Sequence, residues 1–181
     1  EILMSHRGHV AVERKSGFRD LVTVADREAE AAIRQVLLDA FPEHGLLGEE
    51  EGERQGSSVY RWLIDPLDGT TNYAHGLPHF AVSLALLGEG DELLVGVVHM
   101  PALGETYSAV RGGGAFCNGR RIRVTRAEHL DDCLLVTGFP NDVSPGRPTN
   151  VDHMENLVRR TRGVRIVGAA AGALAHVAAG V

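Results

Sequence analysis

The octapeptide Asp65-Pro66-Leu67-Asp68-Gly69-Thr70-Thr71-Asn72 directly follows the apolar run Trp62-Leu63-Ile64. It sets two carboxylates three residues apart where a buried strand is expected to run out. Magnesium takes hard oxygen ligands, typically from one or two carboxylates, and keeps positions for water and substrate phosphate. A phosphate is held by backbone N–H groups at a glycine turn or a helix start. The octapeptide offers both. Its spacing points to metal-assisted chemistry on a phosphate ester, against the plainer reading of an Asp-Gly turn with Asp65 as a cap.

Other residues can join this centre. Glu49-Glu50-Glu51 follows Gly48 in an expected loop, and one of these glutamates can fold back onto a metal whose charge offsets the gathered carboxylates. Asp26 and Thr70 form a second candidate pair, since a hydroxyl held by a carboxylate can orient and polarise an attacking water. Nothing in the sequence alone brings those two together, and Asp26 also serves as a helix-capping residue. Gly168-Ala169-Ala170, at an expected helix start, can present backbone N–H groups to an anion or can simply pack closely. Arg159, Arg160, Arg162 and Arg165 lie at an expected helix C-terminus and read as a solvated surface. Gly112-Gly113-Gly114 opens no helix and is not a dinucleotide fingerprint.

The elements that must position these groups follow from periodicity. Residues 1–13 are expected to be the end of a helix. Thr23-Val24-Ala25-Asp26 matches a capping box with Asp in place of Glu. Ala29, Ile33, Val36, Leu37 and Ala40 then mark one apolar face of a helix that ends at Pro42. Residues 45–56 are expected as a loop and Tyr60 to Ile64 as a buried strand. Strands are expected at 80–87, 93–99 and 106–110, with a hairpin at Asn118-Gly119, where both residues tolerate φ > 0. A strand at 133–137, a loop with three prolines at 140–149, a helix at 151–161, a strand at 164–167 and a helix at 169–179 complete the pattern. Hairpins in the middle and helices at both ends indicate a layered α+β architecture rather than βαβ alternation.

Composition sets the bounds. The 181 residues are 44% hydrophobic, enough for a core, and fit one domain. A net charge of −6 argues against a general grip on nucleic acid. No apolar run approaches the roughly 20 residues that span a bilayer. Glu1 to Val10 shows no leader peptide, and two cysteines, expected as small buried hydrophobes, suit a reducing compartment. A cytoplasmic location without membrane partners is therefore expected.

Several strings together resemble the inositol monophosphatase family. They are Lys15, Asp20 to Asp26, Phe41-Pro42-Glu43-His44, Gly48-Glu49-Glu50, the octapeptide, His75 to Phe80, and Gly114 to Gly119. They run in order over nearly the whole chain, and Thr137 to Pro140 leans towards the bacterial inositol-1-monophosphatase branch. The resemblance implies a layered α/β/α/β/α sandwich, a homodimer, and Mg²⁺-dependent hydrolysis of a small polyol phosphate monoester, most simply inositol 1-phosphate. Histidinol phosphate and fructose 1,6-bisphosphate are the alternative substrates, with a 3′-phosphonucleotide behind them. A non-catalytic phosphate- or partner-binding protein on the same fold is the reading from another class.

Carried over by position, Glu49, Asp65, Asp68 and the Leu67 carbonyl would hold magnesium, with Glu50 as a neighbouring carboxylate. Thr70 with Asp26 would orient water, and Glu49 would share in catalysis. Gly69, Thr70, Asp68, Gly168, Ala169 and Lys15 would bind substrate. Two departures stand out: Ala169 replaces the family's usual Ser or Thr, and no second acidic Trp-Asp motif follows within these residues. The chain is accordingly expected to be one domain, 1–181, incomplete at both ends.

Overall fold

Pro66 has no N–H to give a sheet, yet it sits inside the strand that carries the octapeptide. The chain resolves this with a bulge. In the computed structural model, strand β5 (Arg61–Asp68) pairs antiparallel with the strand Ala81–Leu87, Asp65 opposite Ser83 and Asp68 opposite Ala81. Two residues on one side, Pro66 and Leu67, thus lie opposite one on the other, Val82. Bulges bend a strand and re-aim its side chains, and they are where a sheet accepts proline.

The structure describes residues 1–8, 12–17, 20–140, 144, 146–147 and 149–181, with the side chains of these except 12, 14–17, 20–22 and 152. In chain order the earlier elements are α1 (Ile2–His6), β1 (Val12–Gly17), β2 (Asp20–Thr23), α2 (Val24–Ala40), β3 (Gly45–Gly48) and β4 (Gly52–Arg54). After β5 come α3 (Thr70–Ala74), β6 (Ala81–Leu87), β7 (Leu93–Met100), β8 (Glu105–Val110), β9 (Gly114–Cys117) and β10 (Arg120–Arg121). The last are β11 (Leu134–Thr137), α4 (Val151–Arg160), β12 (Gly163–Ile166) and α5 (Ala170–Ala178). The main sheet runs β10-β9-β8-β7-β6-β5-β3-β4, parallel only between β3 and β5 among the described residues. β1 pairs with β2, and β11 lies parallel to β12.

Alternation along β6 makes the layers, because successive side chains point to opposite faces. Leu84 and Leu86 pack with the Leu37, Leu46, Trp62 and Ile64 cluster, on the face covered by α2. Ala81 packs with Met100, Tyr107 and Ala175, on the face covered by α5. Gly172 of α5 allows this approach, since a Cβ there would stand 2.8 Å from Met100 Cε. A third cluster of Leu3, Ala25, Ala29, Leu67, Tyr73 and Phe80 joins α1, α2 and α3 beneath the octapeptide. Tyr73 Oη donates to the Leu3 carbonyl at 2.6 Å and so ties α1 to α3. The expected layered α+β arrangement stands.

Four local expectations are corrected. The N-terminal helix covers only Ile2–His6, and strand β1 begins at Val12. The 45–56 segment holds two strands, because Gly45–Gly48 finds a parallel partner in β5. On α2, Val36 and Ala40 are exposed, and the buried stripe instead includes Asp26, Glu30 and Arg34. The polar residues are buried there because they satisfy one another and a neighbouring loop. Cys117 and Cys133 are unbridged and half-buried rather than buried.

Candidate active site

The β5 bulge delivers its two carboxylates to different neighbours. Asp65 Oδ1 accepts the Leu67 N–H at 3.1 Å. Burial, followed by the charges of Glu49 and Asp68, pushes the Asp65 carboxyl up to about 7. Glu49 and Asp65 line one hollow at the end of β5, near enough for their charges to act on each other. Two acids crowded in this way are what a divalent cation relieves. Glu49 reaches this position because its N–H extends the sheet, donating to the Ile64 carbonyl at 3.2 Å.

Asp68 faces the other way. It accepts the N–H groups of Ala170 at 2.9 Å, Ala171 at 2.7 Å and Gly172 at 3.3 Å. Burial raises its carboxyl above the usual range, and these three amides oppose the rise. The start of α5 is thus an anion site, as the sequence suggests, and the anion in it is Asp68. Among the described residues no three His, Cys, Asp or Glu side chains form a ready-made cage. Magnesium does not require one, since carbonyl, water and phosphate oxygens complete its shell. The Glu49–Asp65 pair, with the Leu67 carbonyl and Asp68 close by in the chain, is a donor set of the right hardness.

Asp26 and Thr70, 44 residues apart in sequence, meet in the fold. Asp26 Oδ2 accepts the Thr23 N–H at 2.8 Å and the Thr23 hydroxyl at 2.6 Å, and the Thr23 oxygen accepts the Asp26 N–H at 3.4 Å. This capping box leaves Oδ1 facing Thr70, whose hydroxyl lies 3.4 Å away. The same hydroxyl donates to the Leu67 carbonyl at 3.0 Å. Asp26 is 2% exposed, so its partners rather than solvent fix its orientation.

Gly69 precedes α3 with φ +88°. A Cβ there would stand 2.9 Å from the His79 carbonyl oxygen and 3.0 Å from Ala169 Cβ, so both conformation and space call for glycine. Asn72 closes the turn by donating to the carbonyls of His79 at 2.7 Å and Val167 at 2.6 Å. Gly168, at φ +72°, lets Asn72 approach, while Ala169 is buried against the turn. These residues, Glu49, the 136–140 segment and the first turns of α5 line a cleft of about 680 Å³.

The fold therefore gathers Glu49, Asp68, Gly69, Thr70, Gly168 and Ala169 around one cleft, with Asp26 bonded to Thr70, Leu67 buried behind it, and Asp65 in a neighbouring hollow that shares Glu49. The Lys15 side chain lies outside the described residues. Of the arginine run, Arg159 pairs with Glu155 and Arg162 with Asp132, both on the surface. Sequence reasoning gave Asn72 no separate role, although it clamps two carbonyls. It also missed Glu30 and Arg34, whose i,i+4 spacing is the only local sign of them.

Comparison with known proteins identifies the family. The inositol monophosphatase family matches residues 1–181. A Thermotoga maritima fructose-1,6-bisphosphatase/inositol-1-monophosphatase is 44% identical over 180 residues, 99% of this chain and 67% of its own length. An inositol-1-monophosphatase of Rhizobium meliloti is 45% identical over 165 residues, 91% of this chain and 62% of its own. The crystal structure of the extragenic suppressor protein suhB from Bartonella henselae superposes with a TM-score of 0.92 at 42% identity, covering 99% of this chain and 69% of that one. The chain thus spans about two thirds of the length of these relatives. Among its described residues no helix is long and apolar enough to cross a membrane. On these matches and on the layered fold, the chain belongs to the inositol monophosphatase family.

Proposed function

We propose that this chain carries the metal and water-orienting groups of a Mg²⁺-dependent phosphatase acting on a small polyol phosphate, with inositol 1-phosphate as the leading substrate. The observation that carries the reading is that Glu49 and Asp68 line one cleft with a Thr70 hydroxyl that is held by the buried Asp26. Glu49, Asp65, Asp68 and the Leu67 carbonyl are the residues that would hold magnesium. When bound, magnesium supplies Lewis acidity and neutralises charge on phosphate oxygens. The chain's own residues do the rest. Thr70 spends its proton on the Leu67 carbonyl and Asp26, so its oxygen is turned to accept from a water and aim it. The Gly69–Thr70 turn, Gly168, Ala169 and Lys15 are assigned to the phosphate. Hydrolysis forms a bond from the water oxygen to phosphorus, breaks the bond to the polyol oxygen, and returns a proton to that oxygen.

Fructose 1,6-bisphosphate is the second substrate, favoured by the double name of the Thermotoga relative. Histidinol phosphate and a 3′-phosphonucleotide follow. The reading includes a homodimer and a cytoplasmic location. The test is phosphate release from a panel of these esters, with and without magnesium and with Asp68→Asn as control. Release that needs magnesium and disappears in the variant supports the reading, and the fastest ester names the substrate. No release from any ester, with phosphate still bound, transfers the proposal to a non-catalytic binding protein.

A further inference from the structure

Glu30 lies outside the cleft, yet it is fully buried, at 0% exposure, in the middle of a helix. A buried carboxylate is costly unless it is paired and hydrogen-bonded. Here both oxygens are used. Oε2 accepts the Glu50 N–H at 2.7 Å, and Oε1 accepts the Glu51 N–H at 3.1 Å and the Arg34 Nη1–H at 3.1 Å. Arg34 continues the wrap, donating to the Gly52 carbonyl at 3.0 Å and pairing through Nε with Glu51 at 3.1 Å. One helical pair thus grips the backbone of the acidic loop from residue 50 to 52.

The sequence makes room for this grip. A Cβ on Gly48 would stand 1.8 Å from Glu30 Oε1, so any side chain there would expel the carboxylate. Glu49 is then held from both sides. Its own N–H bonds to β5, and the next two N–H groups bond to Glu30. That leaves the Glu49 carboxyl beside Asp65.

We infer that Glu30, supported by Arg34, is a positioning residue that fixes the backbone of residues 50–52 so that Glu49 stands against Asp65. Its final consequence, tighter magnesium binding, rests on the phosphatase reading above. Glutamine fills the same volume but offers one acceptor where three donors converge. Aspartate keeps the charge and shortens the reach.

The experiment compares wild type, Glu30→Gln, Glu30→Asp, Gly48→Ala, Glu30→Ala and the Gly48→Ala/Glu30→Ala double variant. Two readouts are taken: amide hydrogen exchange, and magnesium affinity by calorimetry with magnesium chloride alone. In Glu30→Gln, protection is expected to fall at Glu50 and Glu51 while β6 and β7 stay protected. Magnesium affinity should fall about 10- to 100-fold, as for other groups that orient metal ligands. The KM for substrate at saturating magnesium should be unchanged, and Glu30→Asp should recover part of the loss. Gly48→Ala should reproduce the loss, and should add little once Glu30→Ala has removed the atoms it collides with. If Glu30→Gln fails to fold, Gly48→Ala decides the matter by the same readouts. Wild-type protection at Glu50 and Glu51, or wild-type magnesium affinity, in a folded variant overturns the inference. A wild-type protein that binds no magnesium refutes the phosphatase reading instead, and the exchange data alone then decide the role of Glu30.

Discussion

Helix α2 holds two buried carboxylates one turn apart, and the fold uses them in opposite ways. Asp26, in the first turn, is anchored locally by a capping box with Thr23 and adds one long-range contact, to Thr70. The positive end of the helix favours its charge there. Glu30, one turn further in, is beyond most of that help. It is held instead by Arg34 and by the N–H groups of a loop 20 residues away. In the proposed mechanism the first carboxylate serves the water-orienting side of the site, and the second holds the loop of the proposed metal side from behind. Asp26 takes two of its bonds from its own capping box and adds a single long one to Thr70, whereas Glu30 takes two backbone N–H groups from the loop and so ties that loop to the helix.

The largest expected effect is at Asp68, an assigned magnesium ligand. Asp68→Asn should abolish magnesium-dependent phosphate release, with far-UV circular dichroism retaining the native helix content. Substantial turnover in that variant would show that neither arm serves a centre at Asp68. Next, Thr70→Val should lower kcat by about 10²- to 10⁴-fold, the range for positioned proton-transfer groups. Magnesium affinity measured by calorimetry should hardly change, and a parallel loss of affinity would erase the division between the two arms.

Stability sharpens the contrast. Glu30→Ala takes from Arg34 its buried anion, leaving only the half-exposed Glu51, strips the Glu50 and Glu51 N–H groups of their acceptor, and is expected to cost about 3–5 kcal/mol. Thr23→Ala removes one cap and should cost about 1 kcal/mol. Urea denaturation of both variants checks this, and equal losses would mean that Glu30 is no more than another local cap.

The smallest effect is a pH dependence without metal. The folded Asp65 carboxyl ionises near 7, against about 3.9 in an unfolded chain. Between these values the folded state keeps a proton that the unfolded chain has lost, so rising pH lowers stability through this group. In chelator, wild type should therefore lose melting temperature relative to Asp65→Asn as pH rises from 4 to 7. A constant difference between the two would contradict the raised ionisation.

Much of the site was legible because its grammar is local. The capping box at Thr23–Asp26 and the Asp65-to-Asn72 string declare themselves within a few residues. The meeting of Asp26 with Thr70 did not, since it depends on how α2 lies against the end of β5. Strand β3 was hidden for a related reason. Two leucines between glycines show no alternation, and it is the partners on either side, Arg61–Ile64 in parallel and Gly52–Arg54 antiparallel, that make Gly45–Gly48 a strand. The apolar face assigned to α2 drifted towards Val36 and Ala40 because periodicity counts only apolar residues. The true stripe turns towards Glu30 and Arg34, which are buried by pairing rather than by hydrophobicity.

The hold of Asp68 on α5 gives the molecule an internal spectroscopic probe. The amide protons of Ala170, Ala171 and Gly172 point at one carboxylate, which is 102 residues from the first of them in sequence. The next amide, Ala173, bonds to the Ala169 carbonyl at 3.0 Å as an ordinary helical group. Any cation that draws Asp68 towards itself must shift the first three resonances far more than the fourth. Occupancy of the cleft can thus be followed by NMR on a helix that supplies none of the assigned metal ligands.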